Sequence, residues 1–106
     1  MKVWRWVEMP VVSGSEEEVR RALLRQASVV RAFPGCLFLR LFCAEGPTFY
    51  SLSLWESVEA LEEYRRSEAF RQFWKQMRLH FRGAPRAVNL TRVEEEDEQS
   101  GESAYL

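Results

Sequence analysis

The chain has 106 residues, a mass of 12.5 kDa and a formal net charge of -1, from 15 basic and 16 acidic residues. This length suits one domain whose core is small enough that a partner subunit would add useful burial. The balanced charge provides no field for holding phosphates, which argues against nucleic acid. No apolar run approaches the ~18 residues that span a bilayer, and the first residues are too aromatic for a signal peptide. We therefore expect a cytoplasmic protein without membrane or nucleic-acid partners.

Soft metal ligands are scarce in this chain. Cys36 and Cys43 lie seven positions apart in one predicted strand, and an odd separation predicts that they occupy opposite faces. A disulfide between them and a zinc site with His80 are therefore not expected. The basic residues are almost all arginine and Asn89 is the single asparagine, a composition typical of a thermophile or of a GC-rich genome.

The first half of the chain predicts a strand, a helix and a second strand. Residues 2–12 predict a strand whose side chains alternate between two faces. One face carries Val3, Arg5 and Val7, and the other carries Trp4, Trp6 and Glu8. Ser15 and Glu18 have the spacing of a capping box, and apolar residues at helical spacing follow as far as position 31 or 32. The turn at Pro34 and Gly35 leads into a strand over 36–44, with Phe38 and Phe42 on one face and leucines on the other.

The second half predicts a hairpin, two short helices and a last strand. Glu45, Gly46 and Pro47 form a tight connection to a strand over 48–56. Ser57 and Ser67 can each cap a helix, the second of which carries an apolar stripe formed by Phe70, Phe73, Trp74, Met77 and Phe81. A strand over 86–93 precedes an acidic tail, 94–106, which we expect to be flexible.

This order predicts an α+β, ferredoxin-like fold: a four-stranded antiparallel sheet in one domain, 1–93, with the helices on one face. Three of the strands carry apolar side chains on both faces, so the second face should also be covered. A second copy of the chain, bound through this sheet face, is the expected cover.

Several short motifs carry a family resemblance. They are Pro34 and Gly35 before a strand, the run Leu54, Trp55, Glu56 and Ser57 entering a helix with Ala60, and Tyr64, Ser67 and Phe70. With these motifs the chain resembles the antibiotic biosynthesis monooxygenase superfamily over most of residues 2–93. The resemblance implies a dimeric α+β barrel. The superfamily includes both haem-degrading monooxygenases and cofactor-independent oxygenases that act on quinols. Family members with this frame differ in their reactions, so the reaction is not implied.

The haem-degrading branch can be compared residue by residue. Proteins similar to it carry asparagine, tryptophan and a haem-ligating histidine where this chain has Val7, Tyr64 and Trp74. His80 lies about a turn and a half beyond Trp74 and could meet iron only with a differently placed helix or haem. No cofactor is therefore expected, and haem with an atypical ligand is the alternative.

A cavity between sheet and helices is expected to hold a small aromatic or quinol-like substrate. Its predicted lining residues are Trp74, Tyr64, Trp55, Phe70 and Arg40. Each aromatic residue is also explained as core or dimer interface, and Arg40 as one partner of a structural ion pair.

His80 is the candidate catalytic residue, as a general base or an axial ligand. Its structural interpretation is a capping or interface histidine near a helix C-terminus. A Ser/His/Asp triad is not expected, because Asp97, the single aspartate, falls in the tail.

Other functions remain possible. RNA-recognition motifs share the element order, but the third strand TFYSLSLW lacks their glycine-aromatic pattern. No GxGxxG loop follows the first strand, so a dinucleotide cofactor is not indicated. A regulatory dimer that binds a small ligand without catalysis, or a haem-binding protein, would use the same frame.

Overall fold

The computed structural model describes residues 1–94. The elements are β1 (Val3–Pro10), α1 (Glu16–Ala32), β2 (Cys36–Ala44), β3 (Thr48–Trp55), α2 (Val58–Arg65), α3 (Glu68–Met77), a short 3-10 helix (Arg78–His80) and β4 (Arg86–Leu90). Except for Glu94, the predicted tail 94–106 with Asp97 lies outside the described residues. No helix in this described part is long and apolar enough to cross a membrane.

The strands form one antiparallel sheet in the order β2-β3-β1-β4. The fold is therefore the predicted ferredoxin-like α+β arrangement, with β1 paired on both sides. Along β1, Arg5 lies between Ser53 of β3 and Asn89 of β4. This register determines which side chains share a face.

We call the face that packs against the helices the inner face and the opposite one the outer face. On β1 the inner face carries Val3, Arg5, Val7 and Met9, and the outer face carries Trp4, Trp6 and Glu8, as the alternation predicts. The core lies between the inner face and the helices in two clusters. One contains Met9, Val19 and Met77, and the other contains Trp55 and Leu61. Full burial of each such side chain contributes roughly 1.5 to 3 kcal/mol.

Two of the three predicted helix caps are confirmed. The Ser57 side chain accepts a hydrogen bond from the Ala60 amide at 3.1 Å, and Ser67 accepts one from Phe70 at 3.2 Å. The capping box at Ser15 is wrong, because this side chain makes no capping bond. The Ser15 hydroxyl lies instead 3.2 Å from Nδ1 of His80, so it joins the start of α1 to the end of the helical segment that follows α3.

The last helix is shorter than its apolar stripe suggests. Regular helix ends at Met77 and a 3-10 turn covers Arg78–His80. Phe81 then forms a bridge with Val11, and the Val12 amide donates to the His80 carbonyl at 2.8 Å. These backbone bonds hold the chain against the end of β1 and turn it away from the helical path.

A β-bulge near the start of β2 corrects the expected placement of the cysteines. The pairing register with β3 shifts between Cys36 and Phe38, which leaves Leu37 as the extra residue. The extra residue reverses the alternation of side chains, so Cys36 and Cys43 lie on the same face of β2. They pair with Trp55 and Phe49, both of which face inward. The prediction that they occupy opposite faces is therefore wrong. Both thiols are free.

The outer face is largely apolar. Its three cross-strand rows are Leu90, Trp4, Leu54 and Phe38; Val88, Trp6, Leu52 and Arg40; and Arg86, Glu8, Tyr50 and Phe42. Trp6 stacks on Tyr50 with ring centroids 5.2 Å apart, and Trp4 meets Phe38 edge to face at 5.6 Å. Phe42, Val88 and Leu90 remain 48%, 47% and 44% exposed. Such a continuous apolar surface is typical of an interface.

Candidate functional site

A partly open cavity of about 60 Å³ lies between the inner face and the helices. β1, β2 and β3 form its floor, and α1, α2 and α3 form its roof. All five β4 residues are exposed, so the helices leave this edge of the sheet uncovered. Because β1 is the neighbour of β4, the inner side chains of β1 lie beside this uncovered edge.

Aromatic rings in consecutive contact line one wall of the cavity. Trp55 stacks on Tyr64 with centroids 5.3 Å apart, and Tyr64 meets Phe70 edge to face at 5.2 Å. Phe70 then contacts Trp74 at 6.0 Å. Geometry of this kind adds about 0.5 to 1.5 kcal/mol per pair to simple burial. We call these four residues, Trp55, Tyr64, Phe70 and Trp74, the aromatic wall.

A small set of polar groups lines the same cavity: Arg5, Gln26, Ser51, Ser53 and Tyr64. The Gln26 amide donates to the Tyr64 hydroxyl at 3.1 Å, and the Trp55 indole N–H donates to Ser53 Oγ at 3.0 Å. Arg5 donates from Nη1 to Asn89 Oδ1 at 2.7 Å. Arg5, Gln26, Ser53 and Tyr64 are therefore each oriented by a hydrogen-bond partner.

Burial changes the ionisation of two of these groups. Desolvation raises the pKa of Tyr64 above its usual value, against the opposing effects of its Gln26 hydrogen bond and of Arg5. Desolvation also lowers the pKa of Arg5, and the nearby Arg65 charge lowers it further. At neutral pH Tyr64 is therefore a protonated hydrogen-bond donor and Arg5 is a partly desolvated cation.

Four of the residues predicted for the pocket, Trp74, Tyr64, Trp55 and Phe70, line this cavity together. Arg40 does not, because its place in β2 puts it in an outer-face row opposite Leu52. Its guanidinium lies over the Phe38 ring at 4.3 Å and donates to the Leu39 carbonyl. Arg40 therefore does not line this cavity, and within residues 1–94 it forms no ion pair with a carboxylate.

His80 also lies away from the cavity lining. Its Nδ1 is 3.2 Å from Ser15 Oγ and 4.0 Å from Glu18 Oε1. A Ser/His/acid triad needs the serine and the acid on different ring nitrogens, so this arrangement is not a triad. The 3-10 turn after Met77 explains the placement, because it directs His80 towards the start of α1. The catalytic role of His80 remains a prediction without support from the cavity geometry.

Four polar residues of the cavity were not among the site residues predicted from the sequence: Arg5, Gln26, Ser51 and Ser53. A signal was present on two strands. Arg5 alternates with Val3 and Val7, and Ser51 and Ser53 alternate with leucines. Charged or small polar residues on a helix-covered face indicate a cavity wall, since close packing would favour larger apolar side chains there.

Haem does not fit the site as it stands. Trp74, which the resemblance to the haem-degrading branch places where a ligating histidine is expected, belongs to the aromatic wall, and His80 faces α1. The cavity is also far smaller than the roughly 300 to 1,000 Å³ of pockets for drug-sized ligands. Within residues 1–94, no group of three His, Cys, Asp or Glu side chains could hold a metal ion.

The sheet order, the helix layer and the aromatic cavity between them define a ferredoxin-like α+β protein. The profile of the antibiotic biosynthesis monooxygenase family matches residues 5–76. The chain belongs to this family.

Solved structures agree on the fold. Rv0793 from Mycobacterium tuberculosis is 18% identical with a TM-score of 0.84, covering 92% of this chain and 100% of that one. PA3566 from Pseudomonas aeruginosa is 22% identical with a TM-score of 0.78, and the match covers 88% of this chain and 95% of that one. SnoaB from Streptomyces nogalater, a cofactor-independent oxygenase, is 14% identical with a TM-score of 0.79, covering 89% and 95%. A search of curated proteins found no match.

Proposed function

We propose that this protein is a cofactor-independent monooxygenase that oxidises a small aromatic or quinol-like substrate in the cavity between sheet and helices. The observation that carries the proposal is the aromatic wall, which lines one partly open cavity together with a few oriented polar groups. Family membership and the fold shared with the oxygenase SnoaB support it.

The chemistry requires little from the protein. A ring methylene activated by neighbouring hydroxyl or carbonyl groups can itself supply electrons to dioxygen. The carbon loses two hydrogens and gains one oxygen as a carbonyl, and the second oxygen atom leaves as water with those hydrogens. The aromatic wall holds the ring in one orientation, the Tyr64 hydroxyl donates to a substrate oxygen, and the apolar roof limits the access of water.

The size of the cavity adds a condition. At about 60 Å³ it holds a few water molecules but not a whole substituted ring system. A substrate therefore enters from the uncovered edge near β4 and displaces α2 or α3 outward. These are the shortest of the α-helices, with 8 and 10 residues.

The proposed functional unit is a homodimer joined through the outer faces. The exposed apolar rows on that face are the supporting observation. Pairing two such surfaces buries area that contributes about 25 cal/mol per Å². A closed, two-fold dimer of this kind leaves the cavity of each subunit on the far side of its sheet.

The test is aerobic turnover of an anthrone and of a hydroxylated anthrone, monitored by dioxygen uptake and product spectra. Trp74→Leu removes one ring of the aromatic wall, and Trp4→Leu is the matched control because Trp4 lies on the outer face. We expect uptake by the native protein and the control, and a fall of about tenfold or more in Trp74→Leu.

Two outcomes contradict the proposal. Binding of these probes at the cavity without dioxygen uptake would indicate a ligand-binding or regulatory dimer. A stoichiometric Soret band on haemin titration that disappears in His80→Ala would indicate a haem protein with an atypical ligand.

A further inference from the structure

Arg5 is a cation in an unusual place. It lies on the inner face of the central strand β1, beneath the helices, and lines the cavity beside the uncovered edge. Its Nη1 donates to the neutral amide oxygen of Asn89, and within residues 1–94 it makes no ion pair with a carboxylate. A guanidinium carries five N–H donors, so most of its donor capacity is unused by this bond.

The nearby acid does not neutralise Arg5. Glu62 on α2 forms its ion pair with Arg65, at 3.0 Å. The pKa of Arg5 is lowered first by burial and then by the charge of Arg65, while Glu62 and Tyr64 act in the opposite direction. A partly desolvated cation that has no carboxylate partner is a position where a bound anion offsets the cost of burial.

Tyr64 supplies a second donor to the same space. Its oxygen already accepts a hydrogen bond from Gln26, so its own hydrogen can be donated to a ligand. Arg5 and Tyr64 line the same cavity, Arg5 from β1 of the floor and Tyr64 from α2 of the roof. The remaining walls are mostly apolar and have no charge to compete with them.

We propose that Arg5 and Tyr64 form a two-donor site for an anionic oxygen, and that the substrate is therefore an aromatic acid or an acidic hydroxyarene bound as its anion. This inference rests on the proposed function for the location of the ligand, and it adds the class of substrate. Arg5 sets the specificity through charge, and Tyr64 orients the bound oxygen. Charge-assisted hydrogen bonds of this kind are shorter and stronger than neutral ones.

The test compares the affinities of matched probes for the full chain by calorimetry. Benzoate and benzamide differ in charge at nearly constant shape. 4-Nitrophenol, which is an anion at mildly alkaline pH, and 4-nitroanisole separate an acidic hydroxyl from a carboxylate as the source of the anion. Arg5→Gln removes the charge, Arg5→Lys keeps it, and Arg25→Gln is the control because Arg25 is exposed on α1. Thermal melting establishes that each variant is folded.

We expect the native protein to bind at least one anionic probe about tenfold or more tightly than its neutral counterpart. Arg5→Gln should abolish that preference, Arg5→Lys should retain part of it, and Arg25→Gln should leave it unchanged. Equal affinity for charged and neutral probes, with both lost in Trp74→Leu, would overturn this inference and leave the proposed cavity site standing. A preference that survives in Arg5→Gln would also overturn it. Failure of every probe to bind would overturn both the inference and the proposed function.

Discussion

The ring of Tyr64 stacks on the indole of Trp55, with centroids 5.3 Å apart and ring planes 20° from parallel. The two residues come from different elements, α2 and the end of β3, and both polar tips are fixed by hydrogen bonds. The stack therefore connects a helix of the roof to the floor of the cavity. It also holds the Tyr64 hydroxyl at the cavity wall, where the proposed chemistry needs a donor.

Tyr64→Phe separates the role of the hydroxyl from that of the ring. The ring contacts with Trp55 and Phe70 remain, so the free energy of unfolding should fall by no more than about 1.5 kcal/mol, the value of one hydrogen bond. Substrate turnover should fall about tenfold or more because the donor to the substrate oxygen is lost. Urea unfolding and dioxygen uptake measure the two effects. Full turnover in a folded Tyr64→Phe variant would show that the hydroxyl has no part in the reaction.

Stability should decline at alkaline pH through Tyr64. Burial raises its pKa in the folded protein, so the unfolded chain loses the phenol proton first, near pH of about 10. The folded state then binds more protons than the unfolded state, and the free energy of unfolding falls as pH rises from there through the folded pKa. Tyr64→Phe should flatten this decline between about pH 9.5 and 11.

The pKa of Cys36 is also raised by burial, so this alkaline comparison is made in a Cys36→Ala background. Urea unfolding at several pH values gives the slopes. Equal slopes with and without the Tyr64 hydroxyl would contradict the assignment of the decline to this residue.

Gly35 permits a close approach between the turn before β2 and helix α2. It has a φ of 90°, and a Cβ at this position would overlap the Cβ of Ala60. Gly14 has a similar φ of 101° but open space around it. Gly14→Ala should therefore cost roughly 1 to 2 kcal/mol for backbone strain alone, and Gly35→Ala should cost about 1 to 3 kcal/mol more for the overlap.

The double substitution Gly35→Ala with Ala60→Gly tests the cause of that extra cost. Removing the Ala60 methyl relieves the overlap, so the double variant should recover most of the difference from Gly14→Ala, after allowance for about 1 kcal/mol of lost helix propensity. Chemical denaturation of the native chain, Gly35→Ala, Ala60→Gly and the double variant provides a double-mutant cycle. Additive costs would mean that the two residues do not interact.

Trp6→Glu should disrupt the proposed dimer. Trp6 lies in the middle row of the outer face between Leu52 and Val88, so a carboxylate in its place would bring a charge into the apolar centre of the interface. Light scattering should give about twice 12.5 kDa for the native chain and 12.5 kDa for the variant. Leu24→Glu is the control because Leu24 is 59% exposed on α1. A native monomer, or a Trp6→Glu dimer, would contradict the outer-face interface.

The alternation and helical spacing in the sequence predicted the fold because each element carries its own periodic signal. The four residues of the aromatic wall were predicted from the same patterns, whereas Arg5, Ser51 and Ser53 of the cavity floor were not. The details that were wrong depend on long-range contacts. The bulge at Leu37 is a property of the pairing between β2 and β3, and the bond from His80 to Ser15 joins residues far apart in the sequence. Arg40 was wrongly predicted to line the cavity. Both faces of its strand are apolar, so the sequence alone does not show which face lies towards the helices.

The most direct test of the account is oxidation of the anthrone under isotopically labelled dioxygen, with product and water analysed by mass spectrometry. A monooxygenase should place one labelled oxygen atom in the carbonyl product and the other in water, at a rate that falls in Tyr64→Phe and in Trp74→Leu. Two results would contradict a monooxygenase site in this cavity: an unlabelled product with labelled hydrogen peroxide, or a rate of labelling that neither substitution changes.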